Sequence, residues 1–379
     1  MRTTAQVLVL ALLGPASLAR AAGGSSSVRS PYVPAGYACA WHDEFGGPAG
    51  GGQPRAKVND AFWTFQELNV NDEAQVYTTK QCTDRADWNT CVENGSLRLQ
   101  PRAEEIDCAR DGVCAPHFTE KFHAKAHYSS GRLITKHKVH FDGGYIEFRV
   151  KLPQADRPGA PESGLWPAVW LLGENISEGP PPGDVKWPAC GEIDIMEWSS
   201  MGGASKQGWN ALWAGPGGLN ACSEWPQGGN AACGPCPAVD GQCVGATTVN
   251  GRHRMTGWKN FDHHAWHTYG FEWLNAGNAA SDEAGAKDQM TYFIDGVKMG
   301  VLHLGPEQRA FRSDMFLIVN LALGGNLGGR IEVKDWEHAG MDVDYVRWYR
   351  KGASDACGEP TEAAQAEKKP GKTSKARRK

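Results

Sequence analysis

From residue 37 to residue 350 the chain is a succession of short apolar runs divided by turn signals, and no long stretch carries a helical period. Runs of about 4–8 residues bounded by turns read as strands, whereas helices need longer periodic stretches. Strands are expected over 96–100, 144–152, 168–172, 192–198, 268–273, 290–294, 316–323 and 343–349. Several alternate with period two: Tyr145, Glu147 and Arg149 fall on one face, and Ile146, Phe148 and Val150 on the other. Asp295-Gly296, between Tyr292-Phe293-Ile294 and Val297, predicts a tight hairpin. The 47 glycines suit a chain of many turns and close backbone approaches. Together these features predict an all-β fold, a sandwich or jelly roll forming one domain over 37–353.

Three stretches lie outside this pattern. Residues 1–21 read as a secretory signal peptide, with Arg2 ahead of the apolar run at 7–13 and small residues at 17–21. The apolar run is too short to span a bilayer comfortably. Residues 22–36 read as a linker, and 202–257 as a Cys/Gly-rich loop excursion. Residues 354–379 form a polar, basic tail that cannot bury a core and is expected to be disordered. With no other segment of membrane-spanning length, the mature protein is expected to be secreted, soluble and monomeric. The net charge of −4 supplies no field for nucleic acid.

Eleven cysteines suit an oxidising compartment. Cys82/Cys91 and Cys108/Cys114 are spaced for local bridges, and Cys39 and Cys357 bracket the domain. Cys222, Cys233, Cys236 and Cys243 crowd one segment, where the signal peptide favours disulfides over zinc. The odd count leaves at least one thiol unpaired or joined to another chain.

Chemistry concentrates in Glu192-Ile193-Asp194-Ile195-Met196-Glu197. In a strand, Glu192 and Asp194 share a face while Ile193 and Ile195 point to a core. Glu197 has the wrong parity, and a β-bulge near Met196 would return it to the acidic face. Three carboxylates in a row repel one another, so at least one pKa rises. A protonated carboxyl beside an ionised one is the equipment for glycoside hydrolysis. A solvated acidic edge or a metal site would carry the same residues. The surroundings favour sugar: of 15 Trp, Trp166 and Trp170 share parity a short way upstream, and indole faces stack on pyranose rings. Trp170, beside Leu171 and Leu172, could also be core.

At these residues the chain resembles glycoside hydrolase family 16, in its laminarinase-like branch. That family carries E-x-D-x-E or the bulged E-x-D-x-x-E, and the bulged form matches Glu192, Asp194 and Glu197. Further matching blocks follow in order. They are Trp41-His42-Asp43-Glu44-Phe45, Asn71-Asp72-Glu73-Ala74-Gln75, Ser130-Gly131-Arg132, the run from Gly164 to Trp170, the run from Trp266 to Trp273, Phe293-Ile294-Asp295-Gly296, the run from Asn320 to Gly325, and Val343-Asp344-Tyr345-Val346-Arg347. The resemblance implies a β-jelly-roll sandwich of two antiparallel sheets with a concave groove, and a retaining mechanism on internal β-1,3-glucosidic bonds of a polysaccharide. By motif position Glu192 would be the nucleophile, Glu197 the general acid and then base, and Asp194 a hydrogen-bonding partner of the nucleophile. Asn71, Arg132, Trp166 and Trp170 match groove-lining positions, and His267 is either a supporting residue or a core histidine.

The resemblance implies no cofactor for catalysis, but a structural calcium on the convex side at Glu44, Gly95 and Asp344, with backbone carbonyls contributing alongside the Asp344 carboxylate. The segment after Glu197 departs from the family, where a strand often bearing a histidine returns along the groove. Agarose, carrageenan or mixed-linkage glucan as substrate, transglycosylation, and non-catalytic β-glucan binding remain alternatives. Arg132 alone stands well placed for a sulfated glycan, which favours a neutral one.

Overall fold

The computed structural model describes residues 29–46, 55–68, 70–116, 124–154, 164–177, 185–199, 206–215, 218–223, 238–239, 242–243, 246–249, 252–255, 262, 264–274, 288–304 and 308–352. The signal peptide, the tail and Cys357 lie outside them. All eight expected strands form, each within three residues of its expected ends. Among the described residues the strands make two large antiparallel sheets, one of nine and one of eight strands.

The nine-stranded sheet centres on Met341–Lys351, Gly144–Lys151 and Trp266–Leu274. The eight-stranded sheet runs Gly218–Ser223, Lys206–Gly215, Glu192–Ser199, Leu165–Gly173, Met315–Leu323, Arg132–Ile134 and Thr64–Phe65, with His140–Phe141 beside Met315–Leu323. Period two divides their faces. Ile146, Phe148, Val150, Phe271, Trp273, Val343 and Val346 meet Leu165, Val169, Leu171, Ile193, Leu317, Val319 and Leu321 in one core. Each such side chain contributes about 1.5–3 kcal/mol on burial. A one-residue slip would turn a whole set out of the core, so the register is firmly held. The same alternation sends Trp166, Trp170, Ile318 and Asn320 to the opposite face, away from that core.

Three expectations are modified. The reading of 202–257 as an excursion fails at its start, because Lys206–Gly215 is a strand paired along Glu192–Ser199. Trp209, Ala211 and Trp213 alternate into the core and hold it there. Trp209 stacks on Tyr292 with centroids 4.0 Å apart, and a Cβ at Gly300 would lie 2.1 Å from its ring. Only glycine allows that approach. Secondly, the end of the presumed linker is part of the domain: Val33 packs with Tyr37, Cys39, Tyr145 and Tyr349, and Ser30 is buried. Its apolar residues find a covered face, so it does not remain a free tether. Thirdly, the bulge is shared between Ile195 and Met196.

The hairpin at Asp295-Gly296 is present, with φ of 48° and 77° and Ile294 paired to Val297. Disulfides Cys82–Cys91 and Cys108–Cys114 form. Cys39 is also disulfide-bonded, and buried Cys190 is the free thiol among the described residues. No described helix is long and apolar enough to cross a membrane.

Candidate active site

The acidic strand owes its geometry to a two-for-one mismatch with both neighbours. Trp170 pairs with Asp194 and Val169 with Met196, leaving Ile195 unopposed on that side. On the other side Asn210 pairs with Asp194 and Gly208 with Glu197, so Ile195 and Met196 together face Trp209. Both apolar residues of the bulge enter the core, and Glu197 returns to the face of Glu192 and Asp194. Had the strand been regular, Glu197 would have been driven into that core.

Each carboxyl has its own partners. Trp166 donates its indole N–H to Glu197 Oε1 at 3.0 Å, and Asn210 donates its amide to Oε2. Trp187, which is 47% exposed, donates to Glu192 Oε2 at 2.9 Å. Burial chiefly, then the charge of Glu197, pushes Glu192 up to about 7, against the Trp187 bond and the Arg132 charge. Burial also lifts Asp194 well above the usual carboxylate range, helped by Glu197 and Glu192 and opposed by Asn210. Near neutrality the row thus retains protons on Glu192 and Asp194.

A second buried network lies alongside. Arg132 stacks 5.0 Å from the Trp170 ring centroid and donates to Gln66 at 3.0 Å. Trp170 Nε1 donates to Asn320 Oδ1 at 2.7 Å, Asn320 donates to the Tyr77 hydroxyl at 3.1 Å, and Tyr77 donates to Glu73 at 3.2 Å. Burial raises Glu73 to about 7 and Glu67 to about 8. The network sets Trp170 by both its ring face and its N–H, outside the intersheet core.

Asn71 is exposed with φ of 60°, and its carbonyl accepts from the Asn326 N–H at 3.1 Å. A Cβ at Gly325 would lie 2.7 Å from that carbonyl and 3.3 Å from Trp166, so the glycine turn seats Asn71 beside Trp166. The structure therefore gathers Glu192, Asp194, Glu197, Asn71, Arg132, Trp166 and Trp170 around one face. It does not bring His267 there. His267 pairs with Val150 in the other sheet, and its ring nitrogens meet Asp295 at 2.7 Å and the Asp262 carbonyl at 2.8 Å. Those bonds fix the end of its strand to the Asp295 hairpin.

On the nine-stranded sheet, Ser96–Leu99 pairs with Met341–Lys351 up to Val343, and Tyr37–Asp43 pairs with it from Val346 onward. Glu44, Gly95 and Asp344 therefore converge at that junction. Both Glu44 oxygens accept from Arg347 at 2.7 Å, and Asp344 pairs with Arg149 at 2.8 Å. No cluster of three or more His, Cys, Asp or Glu side chains is placed for a metal among the described residues. The junction suits an ion only through main-chain oxygens joined by Asp344.

Sequence reasoning missed Trp187 and Asn210. Trp187 precedes the strand in a Pro-containing turn and carries no periodic signal. Asn210 was hidden by the supposed excursion, although Trp209-x-Ala211-x-Trp213 is a strand alternation. That strand carries no histidine; Asn210 is the side chain it turns to the carboxyls.

The chain is 26% identical over 339 residues to a glucan endo-1,3-β-glucosidase A1 from Niallia circulans, covering 86% of this chain and 40% of that protein. The chain thus spans well under half of that relative's length. It is 27% identical over 331 residues to a glucan endo-1,3-β-glucosidase from Cryptopygus antarcticus, covering 81% and 90%. Among solved structures, an endo-β-1,3-glucanase from Pyrococcus furiosus superposes with a TM-score of 0.52 at 26% identity, covering 84% of this chain and 96% of that one. No family model matches the chain. Sequence likeness of 26–27% and a common architecture, both running over most of the chain, make it similar to these endo-1,3-β-glucanases, in line with the resemblance carried by its motifs.

Proposed function

We propose that the chain is a secreted endo-glycosidase hydrolysing internal β-1,3-glucosidic bonds of a laminarin-type β-glucan, with Glu192 as nucleophile and Glu197 as acid and base. The supporting observation is that the two glutamates share a face yet receive different donors, Trp187 for Glu192 and Trp166 with Asn210 for Glu197. Glu197 in its acid form protonates the departing glycosidic oxygen as Glu192 attacks the anomeric carbon. The resulting anionic Glu197 takes a proton from the water that then releases the sugar from Glu192. Asp194, kept protonated by burial, avoids a third negative charge in the row, and on the family resemblance it would hydrogen-bond the nucleophile. Trp166 and Trp170 present indoles for pyranose rings. The retaining outcome rests on the family resemblance.

The preference for β-1,3 linkages draws on the named relatives. Mixed-linkage glucan is the second reading, since two shorter matches are endo-1,3-1,4-β-glycanases of Rhizobium meliloti. Product analysis on laminarin with anomeric detection tests bond, reaction and stereochemistry together. The expected products are short β-1,3-oligomers of retained configuration, with hydrolysis abolished and binding kept in Glu192→Gln. Activity confined to mixed-linkage or sulfated glycans, or binding without cleavage by the wild type, would overturn the proposal. At the junction of Glu44, Gly95 and Asp344 we propose a structural calcium, which would tie strand ends together and take no part in the chemistry.

A further inference from the structure

We propose that Asn210 is a positioning residue that holds Glu197 and Asp194 in register and sets from the neighbouring strand how readily Glu197 gives up its proton. The proposal rests on the reading of Glu197 as general acid and base, and adds a residue from a strand that carries no histidine.

The bulge creates the arrangement. Because Ile195 and Met196 together face Trp209, Asn210 stands opposite Asp194 yet reaches Glu197. Asn210 is buried, and its amide donates to Glu197 Oε2 and also bonds Asp194. An ionised carboxylate only accepts, so the amide must present its NH2 to Glu197. Its main chain is fixed independently: the Tyr292 hydroxyl donates to the Asn210 carbonyl at 3.3 Å, and adjacent Trp209 stacks on Tyr292. Glu197 is thereby held from both oxygens, by Trp166 on one side and Asn210 on the other.

That grip favours the anion and prevents the carboxyl from swinging. Among the described residues, the titratable groups coupled to this row include Glu192 and Asp194 on its own strand, Arg132 acting on Glu192, and Tyr292, on which Asp194 acts. Without the amide, Glu197 loses a donor while its carboxyl neighbours remain. Its proton is then held more tightly, and departure of a poor leaving group slows. An activated aryl leaving group, which needs little protonation, is spared.

The test uses two variants without the amide, Asn210→Ala and Asn210→Leu, and one that restores a hydroxyl donor, Asn210→Thr. Whichever amide-free variant melts cooperatively decides the outcome. The carboxyl ¹³C signal of Glu197, assigned by its loss in Glu197→Gln, is titrated by NMR. Its midpoint is expected to rise by about half to one unit without the amide, and to return most of the way in Asn210→Thr. On laminarin, kcat is expected to fall roughly 10-fold with KM little changed, and less on an aryl β-glucoside with an activated leaving group. An unmoved midpoint, or equal losses on both substrates, overturns the proposal. A wild type inactive on every β-glucan would instead sink the functional reading, while the titration would still decide whether Asn210 controls Glu197.

Discussion

Trp187→Phe isolates one hydrogen bond at the acidic row. The indole N–H lies 2.9 Å from Glu192 Oε2, and phenylalanine keeps an aromatic ring but cannot donate. A hydrogen bond to a charged group contributes about 1.5–3 kcal/mol when shielded. Trp187 is 47% exposed, so water recovers part of that, leaving roughly 1 kcal/mol. The bond favours ionised Glu192, and its loss must raise the pKa; at 1.36 kcal/mol per unit the rise is about 0.7 unit. Glu192 is held up to about 7, and a nucleophile must be ionised to attack. The acidic limb of kcat/KM, which reports the free enzyme, should therefore move to higher pH by about half to one unit. On laminarin the loss should be roughly 5-fold at pH 5.5 and should vanish on the alkaline side of that limb. An acidic limb that stays in place or moves to lower pH would refute the reasoning, because Trp187 would then not be holding the charge of Glu192.

Two other perturbations address stability. Glu73 is buried with its pKa raised from 4.5 to about 7, so the folded state binds its proton more tightly than the unfolded state. The stability it contributes is complete below about pH 4.5 and is lost as pH rises through 7, at a cost of up to about 3 kcal/mol. Glu73→Gln, which stays neutral and can still accept from Gln75, should be nearly neutral in urea unfolding at pH 5 and stabilising at pH 8; an unchanged pH dependence would count against this origin. At the strand junction, calcium should raise the melting temperature over the value in chelator, through a stabilisation of up to about 2.7 kcal/mol at one hundred times Kd. Asp344→Ala should remove that increment, and equal melting with and without calcium in the wild type would dispose of the ion.

The fold was legible because its strands alternate strictly where one face meets a core. Ile146, Phe148 and Val150 announce Gly144–Lys151, and the apolar run of Met315–Leu323 announces a strand covered on both faces. Lys206–Gly215 was obscured by its neighbourhood: glycine and cysteine on either side signal loop, while Trp209, Ala211 and Trp213 are too few to outweigh them. Its partner across the sandwich is Tyr292, more than 80 residues later, and Gly300 must leave space for the indole. No local pattern can state a requirement shared between such distant residues. The linker shows the same limit, since Val33 becomes core only because Tyr145 and Tyr349 offer a surface to it.

The candidate site was legible to the extent that parity carries chemistry. Three acidic residues at spacings of two and three cannot share a regular strand face, so a bulge followed from Glu197 alone. Which residues absorb the bulge depends on both neighbouring strands, and it falls on Ile195 and Met196 because both can enter the core opposite Trp209. His267 marks the opposite case. Its block matches the family, but its strand belongs to the other sheet, and its ring is committed to Asp295 and Asp262. Motif order along a chain places residues in strands; only sheet order decides which strands face the groove. For the same reason Asn210 and Trp187 emerge from the structure: each reaches a glutamate from outside the acidic strand, through a contact that the motif does not encode.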